Sequence, residues 1–221
     1  MRNPKSFWIL FLFCLCAAVT EAKSAGTRPV NSFQFSTGLR VLLQRSPQTI
    51  ALGIKTPAYV RLDGVIGKAR LSAGKLYFSR VGEKIQMVRL PYRPLTAQSI
   101  ELLWPVDKPG FEWEGSAFRG RARVQQAEGD LFLVNALPLE AYLASTVGTE
   151  MTPTWNLEAL KAQAIAARSY ALYRQTHPRH ALYDLERTTE DQAYSGLRGE
   201  TSRTWEAIRA TVGLHLTEDR K

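Results

Sequence analysis

Between Leu133 and Pro138 the hydrophobic period of this chain changes from two residues to about 3.6, and the two halves must fold by different rules. Upstream, from Phe33 to about Val134, short apolar runs are separated by turn signals at Asp63-Gly64, Ala73-Gly74, Gly82-Glu83, Pro109-Gly110 and Gly129-Asp130. Tyr59–Ile66 alternates Val60 and Leu62 with Arg61 and Asp63, and Lys84–Leu90 alternates Ile85 and Met87 with Lys84 and Gln86. This is the pattern of half-buried antiparallel strands, so residues 33–116 are expected to form a β-rich region, a small sandwich or barrel. Pro105–Gly115 is the expected linker, because its prolines and glycines interrupt every regular pattern.

Downstream, Pro138 can occupy the first helical turn at no hydrogen-bond cost, and Leu139, Leu143 and Val147 then share one face. Gly148-Thr149 is expected to break that helix and Pro153 to forbid its continuation, which places Glu150 in a loop over Thr149–Thr154. Asn156 suits the cap of a second helix over Leu157–Gln175, ended by His177-Pro178. Six alanines between Ala159 and Ala171 let neighbouring backbones approach, so this helix is expected to be central and packed on several faces. Thr188–Gly196 reads as extended or looped, Ser202–Thr211 as an amphipathic helix closed by Gly213, and Leu214–Thr217 as the start of a strand. The expected fold class is α+β, a β-rich N-terminal region followed over residues 117–217 by a mixed α/β domain with a central Ala-rich helix.

Arg2 and Lys5 precede an apolar stretch, Phe7–Val19, followed by Thr20, Glu21 and Ala22. The stretch is shorter than the roughly 20 residues that span a bilayer, which favours a cleaved signal peptide over residues 1–22 above a permanent anchor. Export to the periplasm, cell wall or exterior is expected, with membrane attachment only through an uncleaved signal. Both cysteines of the chain, Cys14 and Cys16, lie in this segment, and neither follows a small residue as a lipoprotein site requires. Its removal leaves no thiol, which excludes disulfides, zinc–thiolate sites and cysteine nucleophiles together. The charge of +9 suits an anionic partner, and export makes nucleic acid the least fitting of these. His177, His180 and His215 offer no third ligand at a suitable spacing, so no metal site is expected.

Taken from the residues alone, Glu150 is an acid at a helix–loop boundary, a place usually held by caps and solvated side chains. Its neighbours Met151 and Trp155 are of the kind that lift a carboxyl pKa and keep a general acid protonated. No Gly-x-Ser-x-Gly elbow supports a serine triad.

VNALPLEAYL over 134–143, the Glu150-Met151 pair, LEALKAQAIAARSYAL over 157–172 and DQAYSG over 191–196 occur in that order. Together they resemble the signature of the stage II sporulation protein D and amidase enhancer family, across about Phe118 to Thr217. The resemblance implies a domain acting on bacterial peptidoglycan without a cofactor. It implies that Glu150 is the catalytic acid of a lytic transglycosylase cleaving the bond from N-acetylmuramic acid to N-acetylglucosamine. It also implies a preference for glycan strands stripped of stem peptides, whose lactyl carboxylates a cationic groove would suit. The family's amidase-enhancer branch supplies the alternative, a non-catalytic wall-binding protein that stimulates a partner N-acetylmuramoyl-L-alanine amidase.

Candidates to contact the glycan are Lys161, Gln163, Arg168, Gln192 and Tyr194, with Arg174 and Asp191 as further possibilities. Each has a plainer reading. Lys161 can pair with Glu158, Arg168 can buttress a loop, and Gln163 and Ser169 can satisfy the backbone around Glu150. Tyr170, Tyr173 and Tyr194 can be packing residues, with Tyr194 the best placed to stack on a sugar. Members of the family usually continue past Leu214–Thr217 with another strand and a glycine-rich segment, so an incomplete domain with uncovered strand edges is expected.

Overall fold

The structure, a computed structural model, describes residues 38–104 and 108–217. The expected signal segment lies outside these residues, as do positions 105–107 of the expected linker. The described chain is α+β, as its change of period implies.

Twelve strands come first: β1 (Leu39–Ser46), β2 (Thr49–Ile54), β3 (Ala58–Leu62), β4 (Val65–Leu71), β5 (Gly74–Val81), β6 (Lys84–Val88), β7 (Leu95–Ala97), β8 (Ser99–Leu103), β9 (Phe111–Trp113), β10 (Ser116–Phe118), β11 (Arg121–Ala127) and β12 (Asp130–Leu137). Helices α1 (Leu139–Glu150) and α2 (Leu157–Thr176) follow, then a two-residue strand β13 (Leu185–Glu186), a 3-10 turn over Gly196–Gly199 and helix α3 (Ser202–Ala210). One sheet has the order β13-β1-β12-β11-β8-β3-β4 and the other β10-β9-β2-β5-β6-β7. Only the β1–β13 pair in the first sheet is parallel; its other pairs are antiparallel.

Three tight hairpins take their geometry from adjacent residues with positive φ. Asp63-Gly64, Glu114-Gly115 and Glu128-Gly129 lie at φ of 47 and 86°, 46 and 72°, and 52 and 80°. Paired left-handed residues match the twist of the strands they join, and glycine occupies the second position at no steric cost. The alternation in β6 holds as expected, with Ile85 and Met87 buried and Lys84 exposed.

The two sheets and the helices share one core. Ile50, Leu52, Leu76 and Phe78 come from the second sheet, Val41, Ile100, Leu102, Val124, Leu131 and Leu133 from the first, and Leu143, Val147, Leu160, Ala164 and Ile208 from the helices. Strand β12 shows why its run of four apolar residues does not alternate. Leu131 and Leu133 join this main core, whereas Phe132 and Val134 face the other way into a smaller cluster with Leu42 and Tyr183. A strand covered on both faces needs apolar residues at every position.

The expected boundary at 116/117 coincides with no break in either sheet, because β1 pairs with β12 along its whole length and β10 straddles the boundary. Phe111–Gly115 does not act as a free linker either: Phe111 and Trp113 are buried strand residues of β9. Their aromatic bulk outweighs the punctuation of the flanking glycines.

Helix α1 runs through Gly148 to Glu150, against the expected break. Gly148 serves a close crossing instead: a Cβ there would lie 2.0 Å from the carbonyl oxygen of Gly199, and one at Gly199 would lie 2.3 Å from that of Ser145. The central position expected of the Ala-rich helix belongs to α1, in which every residue from Ala141 to Val147 is buried. Helix α2 buries one face, Leu160, Ala164, Ala167, Arg168 and Ala171. Asn156 caps it as its residue type predicts, accepting a hydrogen bond from Glu158 N–H. Residues 214–217 form no strand; Leu216 N–H donates to Ser169 Oγ at 2.8 Å. No helix among the described residues is long and apolar enough to cross a membrane.

Candidate functional site

Glu150 is the last residue of α1, and the chain turns extended at Met151, whose N–H still reaches back to Val147. Met151 is buried in the core, while Trp155 is half exposed. The arc from 151 to 156 is held from outside by Arg203 of α3, which donates to the carbonyls of Pro153 and Trp155 at 2.9 and 3.0 Å.

Two groups hold the Glu150 carboxyl, and neither is charged. Gln163 Nε2, on α2, donates to Oε2 at 2.8 Å, and the backbone N–H of Ala193 donates to Oε1 at 3.2 Å. The last turn of α1 contains no basic residue. Burial raises the carboxyl above its ordinary value, opposed by the hydrogen bonds from Gln163 and Ala193. The negative pole of the helix C-terminus acts in the same direction as burial. The residue as a whole is nonetheless exposed, so protein crowds the carboxyl while solvent or a ligand still reaches it. A carboxyl that is accessible, partly desolvated and free of a cationic partner is suited to give and take a proton.

Gln163 is thus the predicted residue that the structure brings to Glu150 directly. Gln192 stands one residue from the Ala193 donor but points inward: it is buried, and its Oε1 accepts from Tyr142 Oη–H at 3.1 Å. Tyr194 is also buried rather than offered for stacking. Its hydroxyl donates to Asn135 Oδ1 at 2.7 Å, and its ring packs 5.2 Å from that of Tyr142.

The predicted cations are engaged with the protein itself. Lys161 pairs with Glu158 at 2.8 Å, one turn along the same helix. Arg168 is 1% exposed; its Nε and Nη2 grip Glu140 of α1 at 3.1 and 2.7 Å, and Nη1 donates to the Leu214 carbonyl at 3.0 Å. It ties the segment after α3 to α1, the buttress of its plainer reading. Ser169 Oγ donates to Ile165 O while accepting from Leu216. His180 stacks 5.3 Å from Phe132 and 5.2 Å from Tyr183, as a packing residue does. Among the described residues no cluster of His, Cys, Asp and Glu is placed to hold a metal ion.

Behind Ala193 lies a second arrangement. The side chain of Asp191 is fully buried and receives Arg179 Nε on both oxygens at 2.9 Å, Tyr170 Oη–H at 2.5 Å and Glu186 N–H at 2.7 Å, with Arg174 Nε 3.5 Å away. These bonds fix the segment 186–193, and so the position from which Ala193 reaches Glu150. Burial and the bond to Asp191 raise the Tyr170 hydroxyl above its ordinary value.

A recess of about 260 Å³, which Glu150 itself does not line, opens between Thr149, Ala193, Ser195, Trp113, Arg187 and Arg198. No sequence pattern marks the Ala193 N–H, Arg187 or Arg198. A backbone donor has no residue-type signature, although Ala193 sits inside the DQAYSG segment. The two arginines flank that segment without any periodic context.

Comparison with known proteins bears on this part of the chain. Residues 127–217 match the family model described as stage II sporulation protein, SpoIID. An uncharacterized protein of Brachyspira hyodysenteriae is 38% identical over 88 residues, covering 39% of this chain and 24% of that protein. The chain therefore spans about a quarter of the length of the curated relative it matches.

Proposed function

We propose, from the match of residues 127–217 to the stage II sporulation protein family model, a family associated with peptidoglycan, that the Glu150 site cleaves glycan strands as a lytic transglycosylase. The observation that carries this reading is the exposed carboxyl of Glu150, held among the described residues by the uncharged donors of Gln163 and Ala193, with burial raising its pKa.

One carboxyl suffices for this chemistry, whereas hydrolysis uses a pair roughly 5–10 Å apart. Glu150 as acid donates its proton to the oxygen linking N-acetylmuramic acid to N-acetylglucosamine, and the bond from that oxygen to the muramic C1 breaks. The resulting carboxylate then accepts the proton of the C6 hydroxyl, whose oxygen closes onto C1 to give a 1,6-anhydro ring. Glu150 ends protonated as it began, and no water is consumed. Gln163 and Ala193 stabilise the carboxylate between the two steps. The protein acts outside the cytoplasm, a reading supported by the basic and apolar character of its first residues.

The test is release of anhydromuramic products from glycan stripped of stem peptides. Glu150→Gln is expected to lower the rate by roughly 10² to 10⁴ without loss of fold. Equal product from both proteins would sink the lytic reading. The family's amidase-enhancer branch supplies a second reading, in which the Glu150 bonds serve only to brace α1 against α2 and the 191–193 segment. In that reading the protein binds the wall and enhances a partner amidase, and enhancement survives Glu150→Gln unchanged.

A further inference from the structure

The positive charge of the chain is unevenly spread. Over residues 64–100 it carries Lys68, Arg70, Lys75, Arg80, Lys84, Arg89 and Arg93 against a single acid, Glu83. Elsewhere arginines meet carboxylates within the fold: Arg40 meets Asp184, Arg61 and Arg123 meet Glu101, and Arg168 meets Glu140. Over residues 70–93 no cation has a carboxylate partner among the described residues. Unpaired charge of one sign at a surface suits an anionic partner from outside.

Arg70, Lys75, Arg89 and Arg93 gather where the two sheets end. Strands β4 and β7 are edge strands, one in each sheet, and the turn over 72–74 that follows β4 meets the loop over 89–94 that precedes β7. Arg89 Nη2 ties the two, donating to Ser72 Oγ at 2.9 Å and to the Ala73 carbonyl at 2.6 Å, and its guanidinium lies 4.7 Å over the ring of Tyr92. Its Nε and Nη1 have no hydrogen-bond partner among the described residues. Just before the turn, Arg70 lies 4.4 Å over the ring of Tyr59 and donates to its hydroxyl at 2.6 Å. Lys75, after the turn, and Arg93, next to Tyr92, are exposed.

Large apolar side chains project from the same place. Leu90 is 84% exposed, Tyr92 54%, and Tyr77, which lies opposite Val88 in the β5–β6 pairing, 53%. A polyanion in water makes no use of a bare leucine. The boundary of a bilayer takes leucine below its headgroups, tyrosine at their level, and guanidinium and ammonium groups among their phosphates. We infer that this end of the β-rich region is a docking surface for an anionic phospholipid bilayer, with Leu90 and Tyr92 entering the boundary and Arg70, Lys75, Arg89 and Arg93 meeting the headgroups. Strand β4 is at the opposite edge of its sheet from β13 and β1, against which α2 packs. Helix α2 carries Gln163, so docking at β4 leaves the Glu150 site uncovered. The inference is independent of the glycan reading of that site.

The experiment measures binding of the full chain to vesicles of phosphatidylcholine with and without phosphatidylglycerol. Attachment through residues 7–19 is common to both and is read from the neutral vesicles, so the signal is the excess on the anionic ones. An excess of about 10-fold or more is expected. Lys75→Gln with Arg93→Gln is expected to reduce it about 10-fold or more, since each cation near such a surface is worth roughly fivefold. Arg209→Gln removes an exposed charge from α3 and is expected to change nothing. Leu90→Ser is expected to lower binding to the anionic vesicles about 5-fold and to leave binding of soluble polyphosphate as it was. All four side chains are exposed, so the thermal melt should stay where it is. No excess on anionic vesicles, or an excess equally reduced by Arg209→Gln, overturns the inference. So does an excess indifferent to Leu90→Ser, which identifies a soluble polyanion as the occupant of the surface.

Discussion

Asp191 and Glu150 are both tied to the segment 186–193, one from within it and the other from the end of α1, yet they are held in different ways. Asp191 is fully buried, and its charge is met by the guanidiniums of Arg179 and Arg174 together with a tyrosine hydroxyl and a backbone N–H. Glu150 is exposed, and an amide side chain and a backbone N–H are its partners. A buried carboxylate wrapped in cations serves position, because its charge and theirs compensate one another out of water. A carboxyl held by neutral donors near a helix C-terminus can change protonation without leaving a charge unpaired. The same contrast separates Glu150 from Glu101, whose buried carboxylate gathers Arg61, Arg121 and Arg123, and from Asp184, which binds Arg40. What separates Glu150 from these three acids is that it is accessible and its carboxyl is held by neutral donors.

The most damaging change is expected at Asp191. Asp191→Ala leaves Arg179 and Arg174 facing an empty buried site and should cost about 3 kcal/mol of stability, measured by denaturant unfolding. A loss below about 1 kcal/mol would show that the hub is not what fixes the 186–193 segment. Gly148→Ala touches neither carboxylate but sets a methyl against the Gly199 carbonyl, and should cost about 1–3 kcal/mol while displacing the end of α1 that carries Glu150. A fully stable, fully active Gly148→Ala protein would contradict the close crossing.

The smallest effects are on titration alone, and they convert one kind of acid into the other. Gln163→Lys places an ammonium where Glu150 now has an amide, which makes it resemble Asp191. Opposite charge favours the carboxylate, so the Glu150 pKa should fall. Gln163→Leu removes a bond that favours the carboxylate, so the pKa should rise further. A step that needs the acid form is fast below that pKa and declines as pH rises through it. The alkaline limb of the rate profile should therefore move to lower pH in the lysine variant and to higher pH in the leucine variant. Limbs that do not separate would mean that Gln163 has no hold on the acid.

Much of this organisation was legible in the chain. Asp63-Gly64 announced its hairpin, Ile85 and Met87 their buried face, Asn156 its cap and Glu158 its pairing with Lys161, because each depends on neighbours within a few residues. What escaped depends on distant partners. Gly148 looks like a helix breaker until Gly199 is seen against it. The buttress role open to Arg168 could be read from its residue type, but its partners could not, since only the fold brings Glu140 and Leu214 around it. Tyr194 looks available for stacking until Asn135 and Tyr142 enclose it. The surroundings that single out Glu150 come from Gln163 and from a main-chain donor at Ala193, and no spacing rule reports a main-chain donor.

The contrast turns on the carboxyl of Glu150, held by neutral donors where Asp191 is held by guanidiniums, and NMR titration of its carboxyl carbon in the full chain tests it most directly. A midpoint above the ordinary glutamic acid value of 4.5 is expected, because burial outweighs the two neutral hydrogen bonds. A midpoint at or below 4.5 would place Glu150 with the structural carboxylates and contradict its assignment as the acid of the site.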